Sequence, residues 1–447
     1  MKIRSILGVA IVSLILFPTS AIAQIGSPRV ECDSSPEAVE RDAASLRETI
    51  RESLLTLLTG PEEVSASDRE IRRRLKKLMS TIEIEYMGPG TVEPIPPADA
   101  LPNRPARPVD PPPRQFVTDW IGINPSSCNQ FRMALPAETS RRIGSLAARN
   151  GLGEASSVFD HIGPWFPPWD YLPPAEEQFG NPQSGPYYSQ CIDTRVRSAT
   201  LDFPKHAVTN FSADGNSSSC TGTLIGPRHV VTAAHCVYLG GDNWNQFWVI
   251  PGRDGPLRPF GSTHMGVNRR FQWIWVPADI VPNPNGYSSF DIAMLILPER
   301  LGDSAGWMAV NAASESTLAA SFHKNLGYPS VGSGSPIGYH PSAQVGGLYG
   351  DLNQCNMGAF RDYDPYGWAR TVGHSCDNSS GHSGGPLYYW AFNPVLQTST
   401  ATVSAVISGH PGFPDEFDCA NNPRPYDATR ITQEYLNHIL WFRSWKP

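Results

Sequence analysis

Val39, Ala43, Leu46, Ile50, Leu54 and Leu57 recur at three- and four-residue steps, the spacing of an amphipathic helix with one apolar stripe. Ser35-Pro36 supplies an N-cap and a first helical residue, and Gly60-Pro61 supplies the stop. A second amphipathic segment uses Ile71, Leu75, Leu78 and Ile82, with Arg72-Arg73-Arg74 and Lys76-Lys77 as its solvated face. From Pro89 to Pro113 nearly every second or third residue is proline, which predicts an extended linker. A short helix is expected near 140–149. The aromatic, proline-rich run PWFPPWDYLPP at 164–174 fits either a recognition ligand or a plug packed against the next domain. After about Gly185 the pattern changes. Short β-rich runs such as HVVTAA, FWVI and IAMLIL alternate with Gly, Pro, Asn and Asp, which predicts an antiparallel sandwich or barrel. At the end, Ile431, Tyr435, Ile439 and Trp441 fit a terminal helix.

The chain has 447 residues, enough for more than one domain, and a formal net charge of −7. That balance excludes the basic footprint of a nucleic-acid partner. At the N-terminus, Lys2 and Arg4 precede an apolar run over 6–17 and then Ala21-Ile22-Ala23. This is the layout of a signal peptide cleaved after Ala23, too short for an anchor. The expectation is a secreted protein, extracellular or periplasmic, with no membrane partner once the signal is gone. Export makes the eight cysteines candidates for disulfides. There is no CxxC pair and no HExxH run, so no metal and no cofactor are expected. The expected layout is a signal peptide (1–23), a helical leader (24–87), a proline-rich linker (88–114), a mixed or plug segment (115–185) and a β-rich domain (186–447).

Three segments of the β-rich part carry chemistry. Residues 217–238, SSCTGTLIGPRHVVTAAHCVY, read as strand, turn at Gly226-Pro227, strand, then His235 beside Cys236. A Cys220–Cys236 bridge would clamp the His235 loop. In FDIAMLIL, residues 290–297, Asp291 stands at the mouth of an apolar strand, where an acid is costly to bury unless paired. In SSGHSGGPLY, residues 379–388, Gly381, Gly384 and Gly385 frame Ser383. Their backbone freedom lets the serine project while nearby amides converge on one point.

These segments resemble the trypsin/chymotrypsin-type serine peptidases, in the chain order His, Asp, Ser. TAAHC and SGGP match that superfamily's motifs, while SSCTGTLIGPRHVVTAAHC and CDNSSGHSGGPLY are closer to its bacterial glutamyl-endopeptidase (V8-like) branch. DTRVRSATLDFPKHAVTNF, residues 193–211, is similar to the start of mature enzymes in that branch. The resemblance spans roughly 190–447. It implies an all-β catalytic domain of two six-stranded antiparallel Greek-key barrels with a C-terminal helix, behind a partly helical, proline-rich leader. It implies an endopeptidase acting on proteins or peptides: His235 as general base and then acid, Asp291 orienting it, Ser383 as nucleophile, and the N–H groups of Gly381 and Ser383 as oxyanion hole.

His382 is not the base, because a neighbour on so tight a turn cannot align its ring with the Ser383 hydroxyl. In animal digestive members an Asp at this place pairs with a freshly cut N-terminus. Here His382 replaces it, so the Gly381–Ser383 loop is expected to be ordered without that insertion. For substrate selection two registers stay open: Asp377 at the base of the primary pocket, with Ser408 and Gly409 on its wall, or His410 meeting a substrate carboxylate. The resemblance also suggests Cys355–Cys376 and Cys191–Cys419 bridges, leaving Cys32 with Cys128. The leader is expected to be a propeptide, inhibitor or folding aid of its own enzyme, with a retained interaction domain as the alternative. A peptidase-like binder or adhesin without turnover is the reading of a different class. Asn210, Asn216 and Asn378 begin N-x-S sequons.

Overall fold

The computed structural model describes residues 32–60, 67–90, 93–94, 119–152, 195–198, 200–239, 242–266, 271–280, 287–329, 345–351, 355–363, 367–376, 378, 380–393, 398–409 and 426–446. The signal-peptide expectation, most of the proline-rich linker, the 164–174 run, Cys191, Asp377, His410 and Cys419 lie outside them. Among the described residues no helix is long and apolar enough to cross a membrane.

The first element among the described residues is α1 (Pro36–Leu58), where the Ser35 hydroxyl caps the first turn by accepting from Ala38 N at 3.2 Å. Leu46, Ile50, Leu54 and Leu57 are fully buried along one face. A short polar helix, α2 (Asp68–Met79), follows, capped by Ser67. Besides a two-residue strand at Glu93–Pro94, three longer strands come next in the region ahead of residue 185: β1 (Glu83–Pro89), β2 (Asp119–Ile123) and β3 (Asn129–Ala134). Helix α3 (Ala137–Arg149) closes this part. A Cys32–Cys128 disulfide ties its start to the turn before β3. Inside it, buried Asp42 accepts from Asn129 Nδ2 at 2.8 Å and from the Ser127 hydroxyl.

The β-rich domain supplies β4 (Val208–Ser212), β5 (Cys220–Gly226), β6 (His229–Thr232), β7 (Asp242–Pro251), β8 (Thr263–Met265), β9 (Trp273–Pro277) and β10 (Ala293–Ile296). These join the three longer leader strands in one sheet, whose main path runs β1-β3-β2-β9-β10-β6-β5-β4-β7-β8 with antiparallel neighbours at each step; beside that path Glu93–Pro94 pairs with β7 in parallel and Tyr238–Leu239 pairs with it antiparallel. The second sheet holds β11 (Lys324–Asn325), β12 (Met357–Tyr363), β13 (Ala369–His374), β14 (Pro386–Asn393), β15 (Thr398–Gly409) and β16 (Tyr426–Arg430). Its main order is β11-β14-β15-β16-β13-β12, and a two-residue strand, Ala309–Val310, pairs with β15 in parallel. Helix α4 (Gln433–Arg443) ends the chain, capped by the Thr432 hydroxyl. The fold is thus antiparallel β with a C-terminal helix and a partly helical leader, as the sequence leads one to expect.

Two cores stabilise it. The smaller lies under the second sheet, with Leu318, Met357, Val372, Leu387 and Ile407. The larger is continuous from Leu46 and Ile50 of α1, through Trp120 and Phe131, to Val230, Trp275, Leu295 and Trp445. Leader and β-rich domain therefore share one apolar interior.

Candidate active site

Register brings the first two residues of the site together. β6 and β10 are antiparallel, with Thr232 opposite Ala293. The chain leaving β6 and the chain entering β10 therefore meet at one end of the sheet. His235 sits three residues past Thr232, in a single 3-10 turn over Ala234–Cys236, and Asp291 sits two residues before Ala293. Cys236 is bridged to Cys220 at the start of β5, which pins the His235 turn to the neighbouring strand.

Asp291 is fully buried and His235 nearly so. The imidazole Nδ1–H donates to Asp291 Oδ2 at 2.8 Å, with Oδ1 at 3.0 Å, and the His235 backbone N–H donates to Oδ1 at 2.8 Å. The Ser408 hydroxyl donates to Oδ2 at 2.5 Å, and Thr429 Oγ1 donates to the Asp291 carbonyl at 3.0 Å. A buried carboxylate is tolerated when charge-assisted hydrogen bonds replace its water. A proton held on Nδ1 leaves Nε2 as the unprotonated, basic nitrogen of the ring.

Ser383 lies on a tight loop between sheets. Gly381 and Gly384 take φ of +92° and +84°, in the left-handed region. A Cβ at Gly384 would stand 2.1 Å from both Thr221 O and Thr232 Oγ1, so the close approach of this loop to β5 and β6 requires glycine. Hydrogen bonds to β5 and β15 and within the loop itself hold it in place. Thr221 N–H donates to Ser383 O at 2.8 Å, Gly384 N–H to Ile407 O at 2.7 Å and Gly385 N–H to His382 O at 2.8 Å. The Thr221 hydroxyl donates to Gly381 O at 2.6 Å, and itself accepts Tyr328 N–H at 2.9 Å. Cys236 Sγ lies 3.9 Å from His235 Nε2 and 3.5 Å from Ser383 O, so the disulfide adjoins both the ring and the serine loop.

His382 is fully buried, its ring lying on Gly327, where an added Cβ would come within 2.6 Å of it. Ser408, expected on a pocket wall, donates its hydroxyl to Asp291. Gly409 ends β15 next to it. Sequence reasoning missed Thr221, Tyr328 and Thr429, whose only signal is a polar residue inside an otherwise buried strand or loop. The structure contains the Cys220–Cys236 and Cys355–Cys376 disulfides. Among the described residues, one group of three potential metal donors is close-set: Cys220, His235 and Cys236. Its two sulfurs are bonded to each other, so they offer no thiolates to a cation.

Residues 220–389, which contain the whole constellation except Ser408 and Thr429, match the trypsin-like peptidase domain family. Over that stretch the chain is similar to trypsin-like peptidases, and to a glutamyl endopeptidase among them. Two curated relatives are an extracellular metalloprotease of Bacillus subtilis (strain 168) and a glutamyl endopeptidase of Bacillus licheniformis. The first is 29% identical over 261 residues, 56% of this chain and 68% of its own length. The second is 28% identical over 155 residues, 33% of this chain and 45% of its own length. Among solved structures, a Glu endopeptidase in complex with MPD is 21% identical, with a TM-score of 0.41 over 56% of this chain and 97% of that one. The protease Anisep from Arthrobacter nicotinovorans is 17% identical, with a TM-score of 0.36 over 55% of this chain and 99% of that one.

Proposed function

We propose that this trypsin-like peptidase domain is a secreted serine endopeptidase working through His235, Asp291 and Ser383. The observation that carries the reading is the buried Asp291 carboxylate, bonded by the His235 ring and backbone and by Ser408, beside a serine loop framed by glycines. In the reaction, His235 Nε2 takes the Ser383 hydroxyl proton as Oγ attacks the scissile carbonyl. The oxyanion accepts from the N–H groups of Gly381 and Ser383. Collapse expels the amine, which takes the proton from His235, and leaves an acyl-enzyme. Water, activated by the same imidazole, then attacks the ester and frees Ser383. Asp291 holds the imidazolium that forms in each half and does not itself become protonated.

Secretion is supported by the signal-like N-terminus and by three disulfides. Synthesis as a precursor is supported by the long leader and by the mature-like start near 193. Selection between basic and acidic residues before the scissile bond rests with Asp377 or His410. A fluorophosphonate probe tests the core of the reading, since labelling requires an activated serine. Labelling that disappears in Ser383→Ala with the fold intact is expected. Labelling that survives in Ser383→Ala would sink the assignment, and a cleavage profile over a peptide library would decide between the two pocket registers.

A further inference from the structure

A propeptide that is removed on maturation must leave behind a domain whose surface is complete without it. Here the surface beneath the leader is not complete. β2 pairs with β9 along four positions, Ile274 with Ile123, Trp275 with Gly122, Val276 with Ile121 and Pro277 with Trp120. Without β2, β9 would be a bare edge of the sequence WIWVP, a row of unpaired backbone groups beside large apolar side chains. The Trp275 ring lies on the Gly122 backbone, so closely that a Cβ there would be 2.4 Å from it. Phe131 meets Trp273 edge-on at 5.9 Å.

Helix α4 is covered in the same way. A Cβ at Gly144 of α3 would sit 2.3 Å from Asn437 Oδ1, which marks a close helix–helix approach. Trp120 is fully buried, with its ring 5.3 Å from Phe442, 5.4 Å from His438 and 6.4 Å from Tyr435. Ser53 of α1 shares a hydrogen bond with Ser444, and Gln272 donates to Ser126. These are contacts of a protein interior, with tryptophans and phenylalanines fully excluded from water.

The contacts also lead to the site. Tyr435, on which Trp120 packs, donates its hydroxyl to the carbonyl of Ser289. Ser289 is two residues before Asp291. The leader thus stands behind the segment that presents the acid to His235, and none of the leader contacts named here falls on His235, Asp291 or Ser383.

We infer that residues 32–152 are a resident light chain: the surface formed by β9 and α4 is the permanent docking site of this segment, which stays with the peptidase domain after any cut between 152 and 195 and supports its activity. The inference rests on the peptidase reading only for the activity it predicts; the docking stands on geometry alone.

A cleavage site for a specific protease, inserted between Leu152 and Arg195 of the signal-free chain, tests it. After complete cleavage the two pieces are expected to co-migrate in native size-exclusion chromatography at low micromolar concentration, to part only in denaturant, and to keep the fluorophosphonate labelling rate of the uncut chain within about twofold. Pieces that separate spontaneously would overturn the inference. In a second variant, Gly122→Leu, the side chain collides with Trp275; after the cut its pieces are expected to separate and labelling to fall at least tenfold. If they separate and the large piece still labels at the uncut rate, the supporting role is refuted. If the uncut parent never labels, the peptidase reading fails, and co-migration still decides whether the leader is retained.

Discussion

Thr221→Val removes one hydroxyl and keeps the shape of the side chain. In the folded protein that hydroxyl accepts Tyr328 N–H at 2.9 Å and donates to Gly381 O at 2.6 Å. Both partners lie in buried surroundings. The variant leaves one backbone donor and one backbone acceptor unsatisfied, at about 1–3 kcal/mol each. The cost need not stay in the scaffold. Gly381 O lies between the two N–H groups assigned to the oxyanion hole, and Gly381 is free to rotate once the bond is gone. Complete loss of one oxyanion donor costs ~10²–10³-fold in rate. A loop that visits the aligned state only part of the time should lose less, about 10–100-fold. The expected outcome is a fluorophosphonate labelling rate lowered by that factor, accompanied by a lower urea midpoint. Thr221→Ser, which keeps the hydroxyl, should recover the rate to within a few-fold. A Thr221→Val protein labelled as fast as the unmodified chain would refute the role of this bond in ordering the loop. So would Thr221→Ser being as slow as Thr221→Val.

The remaining expectations concern the acid, the bridge and the buried histidines. Ser408→Ala removes a charge-assisted donor to Asp291, worth about 1.5–3 kcal/mol, and should slow labelling about 10–100-fold; Asp291→Asn, which favours the wrong histidine tautomer, should approach ~10⁴-fold, and equal losses in the two would contradict the geometry. Opening the Cys220–Cys236 bridge by Cys220→Ser with Cys236→Ser releases a loop of sequence separation 16 and should cost roughly 3 kcal/mol by the chain-entropy account; an unchanged urea midpoint would count against it. Burial pushes His229 and His374 down to about 3, and His323 and His438 down to about 4. Free histidines protonate near 6.5, so below that pH the unfolded chain binds more protons than the folded one. Stability is therefore full above pH 6.5 and lost as pH falls toward 4, at up to about 1.4 kcal/mol per pH unit for each ring. A urea midpoint at pH 5 equal to or above that at pH 7.5 would show the sign to be wrong.

What could be read from the sequence follows from how far apart the cooperating groups lie. Helix α1 was legible because its cap, its proline and its apolar stripe are local, and the helix begins where Ser35 says it should. His235, Asp291 and Ser383 were legible as candidates because each stands in a short contiguous motif. Thr221 was not, because its partner Gly381 is 160 residues away. The strands of the leader were equally hidden. DWIGI is five residues long, without the strict apolar–polar alternation of a half-buried strand, and becomes a strand by pairing with β9, about 150 residues further on. The burial of Ser408 against Asp291 belongs to the same class, a contact between segments 117 residues apart.

The main path of the larger sheet must end somewhere, and an open edge invites another molecule to extend it. With β1 in place, that end carries exposed Glu83 and Glu85, an irregular step between Tyr86 and Gly88, and Pro89, which has no N–H to offer. Charge, a bulge and a proline are each known to discourage edge-to-edge pairing. The leader therefore does more than cover β9: it replaces the apolar border WIWVP by one that still exposes Tyr86 and Met87 but is interrupted by Glu83, Glu85, a bulge and Pro89. An edge so blunted offers a poor template for pairing with a second copy of the chain.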